Sequence, residues 1–384
     1  MASQKTYHII GAGISGLIIA HKFLMKGIKV NIYEASPFAG GRCRSFNNNF
    51  LDCHINNGNH LVLGANKNFL EILKVFNIEK NFYKTSDLFE IYNFESKKKI
   101  GKFSVYFELI KFIFAVLLGR KSNNKFYKLI AESITNTRFE NFDIKILRNV
   151  IIEILKSGLR GLDFIQPKTN WQDAFIKPIL EDIKNKNGSI FFSKSVNKIN
   201  FDNGKASEIL FADGEIIKCE NDTLISTIPA YNLKKIANIN CAINYNPIIN
   251  IHIKTKNILP SKIIAIYSDF ADWIFCNDNI ISITKSVPND LSQKFYDDKN
   301  FLETLKSLVK KSILEEIEIE NYLILNEKRA TIDCEKESLE HRPNGFTTEY
   351  SNLFICGDFV ENNLPSTIEG TIKNALNLTK QLSN

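Results

Sequence analysis

At 384 residues, 44% hydrophobic and 24% charged, the chain has the size of a two-domain globular protein and the composition of a folded one. Its formal charge of +7 rests on lysine, since Arg supplies eight of the 49 cationic side chains, and no compact basic stretch with interleaved aromatics marks a nucleic-acid reader. Seven scattered cysteines with no CxxC pair and no His at metal spacing argue against zinc and against a disulfide framework. Lys5 and His8 interrupt any apolar leader, so a cytoplasmic, metal-free protein is expected.

In chain order, Tyr7-His8-Ile9-Ile10 predicts a short strand, followed by Gly11-Ala12-Gly13-Ile14-Ser15-Gly16 and a helical stretch from Leu17 to Lys26 that closes at Gly27. A second strand, Lys29-Val30-Asn31-Ile32-Tyr33, ends in Glu34, 18 positions after the last glycine of the turn. A lone GxGxxG is weak, but between a strand and a helix and with a following acid it reads as a dinucleotide site. Gly11 permits the tight turn, Gly13 lets the backbone approach a pyrophosphate, and Gly16 lets the helix pack close to the strand. The helix start at Ile14 and Ser15 offers N–H groups and a positive dipole end to the diphosphate. Glu34 can accept hydrogen bonds from both ribose hydroxyls and would repel a 2′-phosphate, which disfavours NADP. NAD and FAD both remain open at this point, and a glycine-rich turn with a chance Glu is the bland alternative.

Ala35 opens a run reading A-S-P-F-A-G-G-R-C-R-S, in which Arg42 offers a fork suited to phosphate. Further on, residues 103–120 form an almost wholly apolar helical stretch, broken by Glu108 and Lys111 and flanked by Lys97, Lys98, Lys99, Lys102, Arg120 and Lys121. It is too short and too interrupted to span a bilayer, so buried core and a membrane-interface helix stand as its two readings. Residues 188–192 and 196–199 read as paired strands, and residues 222–229 as a strand ending in a small-x-Pro turn. Residues 248–253 and 263–267 are strand-like. Residues 352–356 predict a buried strand ending in Gly357-Asp358, and residues 365–370 lead into a helical pattern reaching about Leu382.

Residues 34–42 resemble the E-x(5)-G-G-R signature of the flavin amine oxidase and phytoene desaturase superfamily. Within it, Asn56-Asn57-Gly58-Asn59-His60-Leu61-Val62-Leu63-Gly64-Ala65 resembles the D-N-G-Q-H-L-x-L-G-A run of the hydroxysqualene dehydroxylase family. Glu327-Lys328-Arg329-Ala330-Thr331 resembles that family's E-K-R-A-T, and the residues from Leu364 to Gly370 its L-P-A-T-I-E-G-A. These matches bracket nearly the whole chain in the right order, while residues 67–320 match loosely. The resemblance implies an α/β protein with a discontinuous Rossmann-like FAD-binding domain, residues 1–66, 168–230 and 325–384. The remainder, 67–167 and 231–324, is then an α+β substrate domain with an antiparallel sheet and the helical, apolar segment.

The cofactor implied is FAD. Gly11, Gly13, Ile14, Ser15, Gly16, Glu34 and Ala35 would hold its adenosine and diphosphate, with Gly41 and Arg42 beside the diphosphate. Gly357 and Asp358 would meet the ribityl chain or a nearby hydroxyl. Gly58, Asn59, Thr367 and Ile368 would lie at the flavin, the last two at a helix N-terminus that favours negative charge on the reduced ring. Val196 would meet the adenine through its backbone; an ordinary hairpin is the alternative.

The substrate implied is a C30 isoprenoid alcohol, with reduced flavin delivering hydride to an allylic carbon as hydroxide leaves. His60 is the candidate proton donor, against a structural or flavin-contact role. Glu369 is a second candidate, against a helix-dipole role. Asn56 stands where the family carries Asp, and an amide cannot titrate, which puts the reaction in doubt more than the substrate class. The rivals are an oxidative polyene desaturase, a flavin amine oxidase and a non-catalytic flavin-binding lipid protein. No nucleic-acid partner is expected. Residues 103–120 would give peripheral contact with the inner face of the cell membrane.

Overall fold

The computed structural model describes residues 5–85, 89–288, 299–313 and 317–383. The chain opens with β1 (Thr6–Ile10), α1 (Ile14–Leu24) and β2 (Lys29–Tyr33), then two short pairs, β3 (Ser45–Asn48) with β4 (Cys53–Asn56) and β5 (Val62–Leu63) leading into α2 (Lys67–Val75). Three small strands follow, β6 (Phe82–Thr85), β7 (Glu90–Asn93) and β8 (Lys98–Ile100), before the helices α3 (Lys102–Leu117), α4 (Lys125–Thr135) and α5 (Ile144–Lys156). After β9 (Phe164–Pro167) and α6 (Lys177–Asn185) come β10 (Ser189–Phe191), β11 (Val196–Asp202), β12 (Lys205–Phe211), β13 (Ile216–Lys218), β14 (Thr223–Ser226) and α7 (Ala230–Ala237). The long strands β15 (Tyr245–Tyr267) and β16 (Trp273–Ser286), α8 (Lys299–Ile313), β17 (Ile319–Ile332), α9 (Lys336–Glu340), β18 (Leu353–Ile355) and α10 (Ile368–Gln381) complete it.

A five-stranded parallel sheet in the order β10-β2-β1-β14-β18 joins three distant stretches of chain. Neighbouring residues of a strand face opposite ways, and both faces here are covered, so β1 is buried at every position. Ile9, Ile32 and Ile225 pack beneath α1, α6 and α10, while Ile10, Tyr33, Leu224 and Leu353 pack against the antiparallel layer β11-β12-β13. His8 is buried in this sheet as a structural residue, bonded to Tyr33 Oη (2.9 Å) and Asp222 Oδ2 (3.1 Å).

Residues 188–192 and 196–199 do not pair with each other, contrary to the expectation above. β10 adds to the parallel sheet beside β2, and β11 folds back on β12. The turn responsible is Asn203-Gly204, both at positive φ (48° and 72°), the dipeptide that suits a tight antiparallel hairpin.

The second sheet is centred on β15, which merges the two strand-like runs at 248–253 and 263–267 into one strand. It pairs antiparallel with β16 and β17 and, at its far end, parallel with β7. The boundary drawn at residue 325 falls inside β17, whose ladder to β15 runs from Ile319 to Ile332. Helices α3, α4 and α5 cover one side of this sheet through Phe112, Phe126, Leu147 and Trp273. α8 covers the other through Leu305, Leu308 and Val309. α4 and α5 start where sequence rules place a start, with Asn124 and Asp143 accepting from the amides of Phe126 and Lys145.

Candidate active site

The glycine turn between β1 and α1 is shaped by close backbone contacts. Gly11 sits at φ 104°, and a Cβ on Gly16 would lie 2.0 Å from the Gly11 carbonyl oxygen, so neither position accepts a side chain. Thr227, at the end of β14, donates its hydroxyl to the carbonyls of Ile10 and Gly11 (both 3.0 Å) and holds the turn from the neighbouring strand. A Cβ on Gly13, in contrast, would meet nothing within 4 Å. Open space thus lies over the start of α1, where Gly13 caps the helix without a side chain and no acid occupies the first turn. That is the cradle a diphosphate needs.

Glu34 stands beside it. Its Oε2 accepts from the Ala12 amide and its Oε1 from the Ser36 amide (both 2.8 Å), which fixes the carboxylate at the edge of the glycine turn. The Glu34 backbone bonds to Phe191 and Lys194, bringing the approach to Val196 alongside. Val196 itself pairs with Phe211 at the start of β11. Ala35 is exposed.

Gly40 and Gly41 fold back over the first turn. The Gly40 amide donates to the Ala12 carbonyl (2.9 Å), and a Cβ on Gly41 would come within 3.4 Å of Gly13 Cα. The next residue, Arg42, crosses to the far end of the chain. Nη2 donates to Asp358 Oδ1 (2.5 Å) and Nη1 to the Ala330 carbonyl (2.8 Å), yet a third of the side chain stays exposed. Burial alone would raise the Asp358 carboxyl. The charge and hydrogen bond of Arg42 outweigh it and hold the group below the ordinary Asp range. Asp358 Oδ2 is buried and makes no hydrogen bond. A buried carboxylate oxygen without a donor is costly, and a cofactor hydroxyl would satisfy it. The open space over Gly13 and this oxygen both fit FAD.

Sequence reasoning missed the residue that shapes this end. Arg342 is fully buried and donates to the carbonyls of Leu364 (2.9 Å), Asp358 (2.9 Å) and Val360 (2.8 Å). Asn374 of α10 donates to those of Gly357 and Val360 (both 2.8 Å). Together they tie the loop after β18 to α10 and so position Asp358. Neither residue sits in a motif, so only the fold reveals them.

α10 begins at the N-cap Thr367, whose Oγ1 accepts from the Gly370 amide (3.1 Å). Its first amides, at Ile368 and Glu369, lie at a helix end that always leaves donors open. Glu369 turns away to another task. Its Oε1 accepts from the Asn68 amide (3.0 Å) and Nδ2 (2.7 Å) and its Oε2 from the Phe69 amide (3.0 Å), capping α2 from a different helix.

The run 56–65 lies between the two sheets. Asn56 Oδ1 accepts from Ser45 Oγ (2.7 Å) and from the Trp171 amide (3.3 Å). An Asp would accept the same two bonds, so the amide keeps the structural role without a titrating group. Asn59 Nδ2 donates to Thr284 Oγ1 (3.0 Å), and Gly58 passes beside His60 and Asn250. His60 Nε2 lies 3.2 Å from the Arg42 carbonyl, with its ring edge-on to Trp171. Burial, joined by the positive charge of Arg42, lowers the His60 pKa to about 4. The ring is therefore neutral at pH 7, and its bond to the Arg42 carbonyl ties this run to Arg42.

Beyond His60 opens a cavity of about 550 Å³. Its long walls are apolar: Leu109 and Phe112 from α3, Ile130 from α4, Ile154 from α5, and Trp273 and Phe275 from β16. Polar groups lie toward Arg42, namely Asn59, His60, Ser366, Thr367 and the start of α10, and Ser133, Asn136, Glu153 and Ser286 also enter the lining. A largely apolar chamber with polar groups toward the cradle suits a long hydrocarbon with a reacting polar group.

Comparison with known proteins agrees with this geometry. The profile of the flavin containing amine oxidoreductase family matches residues 14–143. Hydroxysqualene dehydroxylase of Zymomonas mobilis is 28% identical, over 95% of this chain and 96% of its own length. The protein of the same name from Sinorhizobium fredii is 23% identical over 96% of each. Zeta-carotene desaturase of Solanum lycopersicum is 40% identical, but over 19% of this chain and 12% of its own. Among solved structures, an oxidoreductase from Methanosarcina mazei superposes with a TM-score of 0.75 at 14% identity, over 98% of this chain and all of that one. A redesigned putrescine oxidase does so with 0.74 at 11% identity, over 99% of each. With both ends of the chain meeting at one dinucleotide cradle, the protein is an FAD-dependent oxidoreductase of the flavin amine oxidase superfamily, similar over nearly its whole length to hydroxysqualene dehydroxylases.

Proposed function

We propose that the protein removes the hydroxyl group of a squalene-type C30 isoprenoid alcohol. The observation that carries the reading is the largely apolar cavity that reaches polar groups at Thr367 and His60. In the reaction the allylic C–O bond breaks, a C–H bond forms at the same carbon, and the oxygen leaves as water after taking one proton. Reduced FAD, when bound, supplies the hydride and is oxidised.

The chain's own part is to hold, exclude and balance. Leu109, Phe112, Ile130 and Trp273 exclude water from an allylic cation. The N-terminus of α10 would favour negative charge on a reduced flavin ring held against it. The proton for the departing oxygen enters past the polar groups of Asn59, His60, Ser366 and Thr367. The full-length relatives named hydroxysqualene dehydroxylase support this substrate class.

The test mixes photoreduced holoenzyme with hydroxysqualene without oxygen and follows flavin absorbance and product mass together. Reoxidation at the rate of squalene formation is expected. No reoxidation with this alcohol, with bleaching of the oxidised enzyme by a phytoene-type polyene or by an amine, would replace the reading with desaturation or amine oxidation.

A further inference from the structure

Helix α3 has two apolar faces. One is buried, with Val105, Phe112 and Val116 packed toward α4 and α5. The other faces outward with nothing over it. Phe103 (87% exposed), Phe107, Ile110, Phe114 (63%) and, just past the helix end, Leu118 (66%) form one stripe at three- and four-residue spacing. Scattered exposed apolar residues need no explanation, but a continuous helix-long stripe of large ones does.

The charges around the stripe say what covers it. Residues 97–121 carry Lys97, Lys98, Lys99, Lys102, Lys111, Arg120 and Lys121 against one acid, Glu108. That acid is consumed locally, its Oε1 by Lys111 (2.9 Å) and its Oε2 by Asn124 Nδ2 (2.6 Å). Lys111 also lies 4.2 Å over the Phe107 ring. Lys99 is paired with Glu90 (2.9 Å) and Lys121 donates to the Phe139 and Glu140 carbonyls (3.0 and 3.1 Å), yet cations still stand at both ends of the stripe. A protein partner for so apolar a strip would not require cationic margins, whereas the anionic headgroups and acyl chains of a bilayer surface match both features at once. No described helix is long and apolar enough to cross a membrane, so contact would be from one side.

We propose that the outer face of α3 docks on an anionic lipid surface, and that α3 is the partition between that surface and the cavity. The same helix supplies Leu109, Phe112 and Ile113 to the cavity wall, so a lipid-dissolved substrate reaches the chamber past a single helix. The docking half stands on the stripe and its charges alone. The entry half rests on the isoprenoid reading above.

The experiment floats FAD-loaded protein with phosphatidylglycerol-containing or pure phosphatidylcholine vesicles. The wild type is expected in the floating fraction with the anionic vesicles, and high salt should return it to solution. Lys98→Glu with Lys102→Glu should weaken binding by roughly 30-fold or more, from about 1 kcal/mol per cation lost near the surface. Phe107→Ser with Phe114→Ser should weaken it by a similar factor. Both pairs lie on exposed positions, and retained yellow colour and unchanged melting temperature show that the variants are folded. Wild-type protein that stays in solution at low salt overturns the proposal. So does self-association, seen by sedimentation and abolished by the Phe107 and Phe114 changes, because the stripe would then bind a second copy. Neither result bears on flavin reoxidation by hydroxysqualene, so the two readings fail separately.

Discussion

The cofactor cradle and the cavity wall define their contents in different ways. At the cradle each residue answers to one atom group: Gly13 leaves room, Glu34 presents an anchored carboxylate, and Asp358 keeps one buried oxygen without a donor. At the wall no single side chain has such a task. Leu109, Phe112, Ile130 and Trp273 contribute area and shape, and another set of the same volume would do as well. Polar recognition ties residue type to position, whereas apolar recognition ties only volume to position. Identity among relatives is therefore expected to concentrate at the cradle.

Substitutions can break or sharpen this contrast. The largest effect is expected for Glu34→Lys, which removes the anchored carboxylate and with it the charged hydrogen bonds it would accept from a ribose, worth roughly 1.5–3 kcal/mol each. FAD affinity should fall by at least about 100-fold, measured by flavin fluorescence during dialysis. A mutant that purifies yellow at full occupancy would show that the cradle does not depend on this group.

Next come the two faces of α3. Phe112 is buried against Tyr127, with ring centroids 4.9 Å apart, so Phe112→Ala should cost about 3 kcal/mol in urea unfolding. Phe114→Ala, on the exposed stripe, should stay within about 0.5 kcal/mol of wild type. Equal losses at the two positions would mean that the outer face is covered by protein. The smallest effect is expected for Asn56→Asp, because Ser45 and Trp171 can donate to a carboxylate as they do to the amide. Melting temperature and turnover should be almost unchanged. A large gain in turnover would instead show that Asn56 has displaced a working acid.

The same contrast explains what could be read from the residues alone. Glycine spacing, the following acid and the Gly-Gly-Arg run announce their chemistry because few side chains can do it. β10 and β11 read as a pair because they are adjacent in sequence, whereas pairing partners are set by the turn and by sheet edges. The Asn203-Gly204 signal for the β11–β12 hairpin was in plain view. Arg342 and Asn374 were invisible, for their partners are backbone carbonyls that carry no sequence signature. The cavity was invisible too: its lining comes from five helices and several strands, and nothing in a phenylalanine tells whether it faces a core or a chamber.

The parallel sheet has a consequence for synthesis. Glu34 follows the second strand of the parallel sheet and Leu353 opens its last, 319 residues later (353 − 34). At about 5–20 residues per second, roughly 15–60 s pass between them on the ribosome. During that interval β1 lacks its β14 neighbour until residue 226 is made, and β14 lacks β18 until residue 355 is made. Flavin capture is thus a late event, and a chain interrupted before Leu353 lacks both the last strand and Asp358. The yellow colour of the purified protein would serve as a readout of completed synthesis.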